Sequence, residues 1–336
     1  MPISQAVAFA IIHPVMKEIV VSASSNGQKI EKFVRKYLSE APLGYIYKAF
    51  RKKDIKVNGH WVKKDFVIHE NDVVRIYVTD KQLEDFKKPR PVTPKPFPYR
   101  IAYEDENVLI VDKPKGVLTY GDKTGVRETL GNAVLDYLCL KGEFDPTSAS
   151  FVPSPAHRLD RNTSGLICYG KTDAGLKALT ELFKTRVGVE KYYLALVKGH
   201  FDGDGGDIDI PLGKDPNSGR AFPLALDKGG KTAKTHYDVV QELPRFSLLR
   251  VRLETGRTHQ IRVHFACIGH PLLGDDKYGD FALNKEIESL TGLDSQFLHA
   301  HELSFGELSG PLAGLTNTNI CSDLPAELRA VIAKLS

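Results

Sequence analysis

Between Lys81 and Arg100 the chain carries five prolines and six basic residues with no apolar period. Proline lacks an amide N–H and fixes φ, so neither a helix nor an inner strand can run through such a stretch. The segment reads as a semi-rigid linker. It divides a chain of 336 residues into a short front and a long body, and that length favours two cores over one. The expected parts are an extension over residues 1–27, a small module over 28–80, the linker over 81–100 and a large domain over 101–336.

Charge divides at the same place. Residues 1–100 hold 19 Lys+Arg against 10 Asp+Glu, a net +9, whereas the whole chain carries only +4 and its remainder therefore −5. A basic front on a mildly acidic body suits a polyanion-binding module joined to something else; a solvated basic face without a partner has the same composition. With 42% hydrophobic and 26% charged residues, disordered and fibrous classes are excluded. Cys139, Cys168, Cys267 and Cys321 form no CxxC pair or framework, so a reducing cytoplasm is the expected setting. Ala6–Ile12 is too short, and too poor in preceding basic residues, for a signal peptide. No run of about 18 apolar residues predicts a membrane span.

Ile30, Phe33, Val34, Tyr37 and Leu38 follow helical spacing, as do Leu43, Ile46, Tyr47 and Phe50, which predicts two short amphipathic helices. Arg35, Lys36, Lys48, Arg51, Lys52 and Lys53 lie off those apolar stripes. Ile55-Lys56-Val57 alternates and meets Asn58-Gly59, a strong hairpin signal. In the body, Val108–Val111 predicts a buried strand stopped at Lys113-Pro114, Thr172–Thr185 a helix, and Tyr192–Val197 and Ser247–Leu253 further strands.

Chemistry concentrates in three stretches. The first is His157-Arg158-Leu159-Asp160-Arg161-Asn162-Thr163-Ser164-Gly165-Leu166, entered through Pro153-Ser154-Pro155. A carboxylate flanked by two arginines is expected to stay anionic, and such an anion can serve as nucleophile or base; on residue chemistry alone, a surface ion-pair loop is the commoner arrangement. The second is Lys191-Tyr192-Tyr193-Leu194-Ala195-Leu196-Val197-Lys198-Gly199, which by itself reads as a strand with an aromatic on its buried face. The third is Gly256-Arg257-Thr258-His259-Gln260-Ile261-Arg262-Val263-His264. It starts at a strand end and continues as a helix with Ile261, Phe265 and Ile268 toward the core, Arg262 off that side, and Gly269 and Pro271 as stop signals. Read plainly, Arg257 and Arg262 bind phosphate or solvent.

Taken together these stretches resemble the RluA-type RNA pseudouridine synthases, whose signature His-Arg-Leu-Asp-Arg-x-Thr-Ser-Gly-Leu the first one matches. The second fits the family pattern Lys-x-Tyr-x-Ala-x-Val-x-Gly. Further matches run through His270-Pro271-Leu272-Leu273-Gly274-Asp275-Asp276-Lys277-Tyr278-Gly279 and Leu298-His299-Ala300. The resemblance implies Asp160 as the catalytic carboxylate and Arg158 as a residue that helps displace the target base. It implies Tyr193 stacked on the uracil as a candidate for proton transfer from C5, and Arg262 set against Asp160. Through Ile46-Tyr47-Lys48 to Val57-Asn58-Gly59 and Asn71-Asp72-Val73-Val74 the front module resembles the S4 RNA-binding domain, with Lys53-Asp54 where that family commonly carries a glycine. That likeness implies RNA contacts by Arg35, Lys36, Lys48, Arg51, Lys52 and Lys53; in the body, Arg158, Arg161 and Arg257 are the expected RNA contacts. Asp112-Lys113-Pro114-Lys115-Gly116 and Phe305-Gly306-Glu307 depart from the usual pattern, which touches RNA specificity rather than the reaction.

The fold this implies is α+β: a pseudouridine synthase domain around a mixed, mainly antiparallel sheet, plus the small S4-type α/β domain. Among relatives the combination is most similar to the RluC type, which modifies large-subunit ribosomal RNA. A monomer that isomerises uridine by base flipping is expected, without cofactor or metal. A protein kinase would need a glycine-rich phosphate loop that is missing here. Zinc would need a fourth ligand beside His264, Cys267 and His270, or two more beside His299 and His301. A non-catalytic RNA-binding factor would be expected to have lost Asp160, Tyr193 or Arg262.

Overall fold

A computed structural model describes residues 15–38, 41, 43–79, 97–120, 129–145, 151–215 and 218–336. The chain forms two compact units, one drawn from Met1–Pro94 and Gly142–Phe151, the other from Lys95–Lys141 and Val152–Ser336. Most of the expected linker lies outside the described residues. Among the described residues, no helix is long and apolar enough to cross a membrane.

In the small unit, strands β1 (Val15–Val20), β2 (Ile55–Val57), β3 (His60–Trp61) and β4 (Val73–Val78) form an antiparallel sheet in the order β1-β4-β2-β3. Helices α1 (Ile30–Tyr37) and α2 (Leu43–Arg51) share a core with it, led by Ile30, Val34, Ile46, Ile55, Val74 and Ile76. Asn58, at φ 49°, and Gly59 turn the β2–β3 hairpin as their dipeptide predicts. One boundary differs from the sequence reading. β1 falls inside the stretch taken as an extension, and it pairs with β4 from Val15↔Val78 to Val20↔Val73. Its Lys17 and Glu18 are exposed and weaken the apolar alternation that would have marked a strand.

The large unit is built on β5 (Arg100–Glu104), β6 (Val108–Lys113), β7 (Ser154–Pro155), β8 (Ser164–Gly170), β9 (Val189–Lys198), β10 (Gly205–Asp209), β13 (Lys234–Leu243), β14 (Phe246–Leu253), β15 (Leu298–Phe305) and β16 (Asn319–Cys321). A separate hairpin joins β11 (Leu212–Lys214) to β12 (Ala221–Pro223). The main sheet runs β10-β13-β14-β9-β15-β8-β6-β5, with β16 on β15 and β7 on β8. Among the described strands only β15 and β8 pair in parallel, so the sheet is mixed and mainly antiparallel. The unit is α+β.

Its helices are α3 (Leu130–Leu140), α4 (Asp173–Thr185), α5 (Gln260–Cys267), α6 (Phe281–Thr291) and α7 (Ala326–Leu335). Thr129, Thr172 and Asp280 accept first-turn amides and fix three of the starts, each such cap being worth about 1 kcal/mol. Leu179, Leu182 and Phe183 of α4 close a core against Val108, Ile110, Leu166 and Cys168. Fully burying side chains of this size contributes about 1.5–3 kcal/mol each. Toward α5, Tyr193, Ala195 and Val197 of β9 meet Ile261 and Phe265, while Leu196 joins the α6 and α7 side chains in another core.

The β8–β15 seam requires a glycine. Gly165 has φ +107°, and a Cβ there would run into the Ala300 backbone. The Thr-Ser-Gly stretch thus allows the loop carrying Asp160 to enter the sheet beside β15.

Candidate active site

The loop from β7 to β8, the middle of β9, the end of α4 and the start of α5 surround one cavity of about 370 Å³. Asp160, Tyr193, Arg262, Arg158 and Arg257 all line it. Asp160 is the one carboxylate among its lining residues, against six Lys or Arg: Arg158, Lys184, Arg186, Lys191, Arg257 and Arg262.

Asp160 is held by the turn it makes, its carbonyl accepting from the Thr163 amide at 3.1 Å. The neighbouring Arg161 carbonyl accepts from the Gly116 amide at 2.9 Å. It also accepts from the Lys113 ammonium, which donates to Pro114, Val117 and Arg161 carbonyls at 3.0 Å each. Lys113 is wholly buried at the end of β6, and burial pulls its pKa down to about 7 against the opposing pull of Asp160. One lysine thereby ties the sheet to the Asp160 loop.

Arg262 reaches Asp160 Oδ2 with Nη1 at 3.3 Å. Its fork, however, belongs to Asp275: Nε and Nη2 donate to the two carboxylate oxygens at 2.6 and 2.7 Å, and Nη2 also donates to Asp276 at 2.7 Å. Burial alone would raise the Asp275 carboxyl, but Arg262 and the amides of Lys277 and Tyr278 outweigh it and hold it below its ordinary value. The sequence reading put Arg262 off the core side of α5 with Ile268 inward. Instead Arg262 is buried, because Asp275 compensates its charge, and Ile268, past the helix end, is exposed.

His259 stands just before α5 at φ 52°. Its Nε2 lies 3.8 Å from Asp160 Oδ2, and its Nδ1 is 2.9 Å from the Tyr278 hydroxyl. Burial lowers its pKa against the attraction of Asp160. Tyr193 sits on a central strand opposite Val251 and Ala300. Burial pushes its phenol up to about 12, against Arg186.

Of the remaining candidates, Arg158 is exposed at the cavity rim. Arg161 turns away and donates to the Gly116 carbonyl at 3.0 Å. In the small unit, Lys48, Lys52 and Lys53 line a groove together with Lys56. Arg35 pairs with Glu31 at 3.8 Å, and neither it, Lys36 nor Arg51 lines that groove. Lys53 takes the left-handed conformation, φ 63°, where the S4 pattern has glycine. Sequence reasoning gave no role to Lys113, His157, Arg186, Lys191, His259, Asp275 or Asp276; only adjacency to the three motifs marked most of them. His264, Cys267 and His270 do not converge: His264 bonds Thr235 and the Ile210 carbonyl, and His270 stacks on Phe201.

A carboxylate braced by a buried arginine beside a buried tyrosine, in a cation-rich cavity, fits chemistry on a nucleic acid. Comparison with known proteins agrees. The family model described as RNA pseudouridylate synthase matches residues 107–267. The chain is 33% identical over 297 residues to ribosomal large subunit pseudouridine synthase C of Escherichia coli strain K12, covering 87% of this chain and 89% of that one. It is 32% identical to the uncharacterized RNA pseudouridine synthase YlyB of Bacillus subtilis strain 168, covering 86% and 89%. In fold it is similar to human RNA pseudouridylate synthase domain containing 4, with a TM-score of 0.56 at 23% identity over 70% of this chain and 92% of that one. The chain belongs to the RNA pseudouridine synthase family, isomerases that convert uridine in RNA to pseudouridine.

Proposed function

We propose that this chain isomerises uridines of large-subunit ribosomal RNA, with Asp160, Tyr193 and Arg262 as its working residues. The observation that carries the reading is a single carboxylate, held at 3.3 Å by a braced arginine, in a cavity whose lining also holds six Lys or Arg. A stacked base hides its reacting atoms, so the target nucleotide is flipped into the cavity, where Arg158 at the rim helps to displace it. Asp160 assists cleavage of the N1–C1′ bond, the uracil rotates against Tyr193, and C5 bonds to C1′. Substrate and product are isomers, so the reaction calls for no redox partner or group donor.

Arg262 keeps Asp160 aimed, and Arg257 meets the backbone phosphates. Residues 28–80, with the basic groove of Lys48, Lys52, Lys53 and Lys56, serve as an S4-type module that binds structured RNA through its phosphates. The large-subunit substrate rests on the name borne by the Escherichia coli relative. The cysteines at 139, 168, 267 and 321 are all unpaired, in keeping with a cytoplasmic enzyme.

The test is tritium release from C5-labelled, unmodified transcripts of large-subunit rRNA, small-subunit rRNA and tRNA. Release from the large-subunit transcript alone is expected; release only from tRNA would overturn the substrate.

A further inference from the structure

Three basic groups in the same cavity have no place in that scheme. Lys191 is 6% exposed, and its ammonium makes no hydrogen bond or ion pair among the described residues. Its Nζ lies 5.3 Å from the centroid of the Phe183 ring. Arg186 buries Nη1 without a partner, and its other nitrogen lies against Gly256 so closely that a Cβ there would sit 2.8 Å from Nη2. His157 accepts the Cys168 amide on Nε2 at 3.1 Å, which leaves the proton on Nδ1, and that nitrogen too is buried and unpartnered.

Unsatisfied buried donors are costly, and native proteins keep few of them. Two of them in one cavity, His157 Nδ1 and Arg186 Nη1, with the Lys191 side chain beside them, call for a ligand that accepts. Lys191 and Tyr193 are two apart on β9 and project to the same face, about 7 Å from one another. The cluster therefore adjoins the face on which the flipped uracil is read to stack. Arg186 closes α4 in the left-handed conformation, φ 63°, its amide donating to the Leu182 carbonyl.

We propose that Arg186, Lys191 and His157 form a donor-only site that binds the carbonyl oxygens of the target uracil and stabilises the negative charge it gains when N1–C1′ breaks. The inference rests on the functional reading above and names the part of the cavity that holds the base. The electron pair of N1–C1′ leaves with the base, and the charge spreads over N1, O2 and O4. When the base turns about its N3–C6 axis, N1 and C5 exchange places, and so do O2 and O4. A site made of donors alone serves both orientations equally. The pair then returns to C1′ through C5, the C5 proton is lost, and N1 gains one. Cytosine carries an amino group in place of O4 and would set donor against donor, so the same site selects uracil.

The experiment compares Lys191→Met, Arg186→Met and wild type on large-subunit transcripts made with uridine or with 5-fluorouridine, reading loss of the N1-linked base. Fluorine at C5 stabilises the departing uracil anion and lessens the help it needs. On uridine RNA, kcat should fall by about 100-fold for each variant, the usual effect of removing one oxyanion donor, with KM for RNA unchanged. On 5-fluorouridine RNA the loss should shrink by roughly tenfold or more, and Lys191→Met should unfold no more readily than wild type because it removes an uncompensated buried charge. Equal losses on both RNAs, or a change confined to KM, would overturn the proposal; should one variant fail to fold, the other decides. If wild type consumes neither RNA, the functional reading fails, and this inference with it.

Discussion

Burying the Arg262 guanidinium without compensation would cost several kcal/mol. Asp275, itself wholly buried, provides that compensation through a two-point fork, and so also fixes where Nη1 meets Asp160. Replacing Asp275 by Asn should destabilise the fold by about 3–5 kcal/mol in denaturant titration and lower kcat with it; a loss under about 1 kcal/mol would show that Arg262 holds its place without it. Lys191 has a pH signature. Burial and the nearby Arg186 lower its folded pKa to about 7, Cys168 opposing, with His157 also beside it. An unfolded lysine titrates near 10.4, so the unfolded chain binds the extra proton between these values, and stability should rise with pH across that window. The penalty is complete below about pH 7. Unfolding midpoints of wild type and Lys191→Met should therefore lie furthest apart at pH 6 and converge toward pH 10; parallel profiles would place Lys191 in water.

Strands with strong patterns were legible in the sequence because their pattern is their packing. Val108–Val111 reads as an unbroken apolar run and is buried on both sides; Leu249, Val251 and Leu253 alternate with exposed-side arginines and point inward. Helix α5 shows where pattern fails. Gln260, Arg262 and His264 are as buried as Ile261 and Phe265, each satisfied by a partner elsewhere in the fold: Gln260 by the Lys234 carbonyl and Thr235, His264 by Thr235 and the Ile210 carbonyl, Arg262 by Asp275. Periodicity carries no information about such partners, so the motifs revealed which residues gather but not that Arg262 is clamped from Asp275 or that Lys113 reaches the Asp160 loop. Gly165→Ala tests the β8–β15 seam: its Cβ would enter the Ala300 backbone at a left-handed φ, so the variant should lose cooperative unfolding or its soluble yield. A near-native melting temperature would mean the seam can open.

Across the whole molecule, positive charge is placed in each unit by itself: the Lys48, Lys52, Lys53 and Lys56 groove in the small one and the cavity rim in the large one. Contacts to phosphate release counterions, so each adds to the slope of log K against log salt, by about 0.9 on duplex and 0.7 on single strands. Changing Lys48, Lys52 and Lys56 to Gln should weaken RNA binding and flatten that slope by about two to three, while kcat at saturating RNA stays unchanged. An unaltered slope would remove the groove from the RNA path. The central claim, that Asp160 performs the chemistry while the rest of the protein delivers uridine to it, is tested most directly by one comparison: tritium release from C5-labelled large-subunit RNA by wild type and by Asp160→Asn, with RNA affinity measured in parallel. The account predicts release by wild type alone at similar affinity; equal release by both proteins would contradict it.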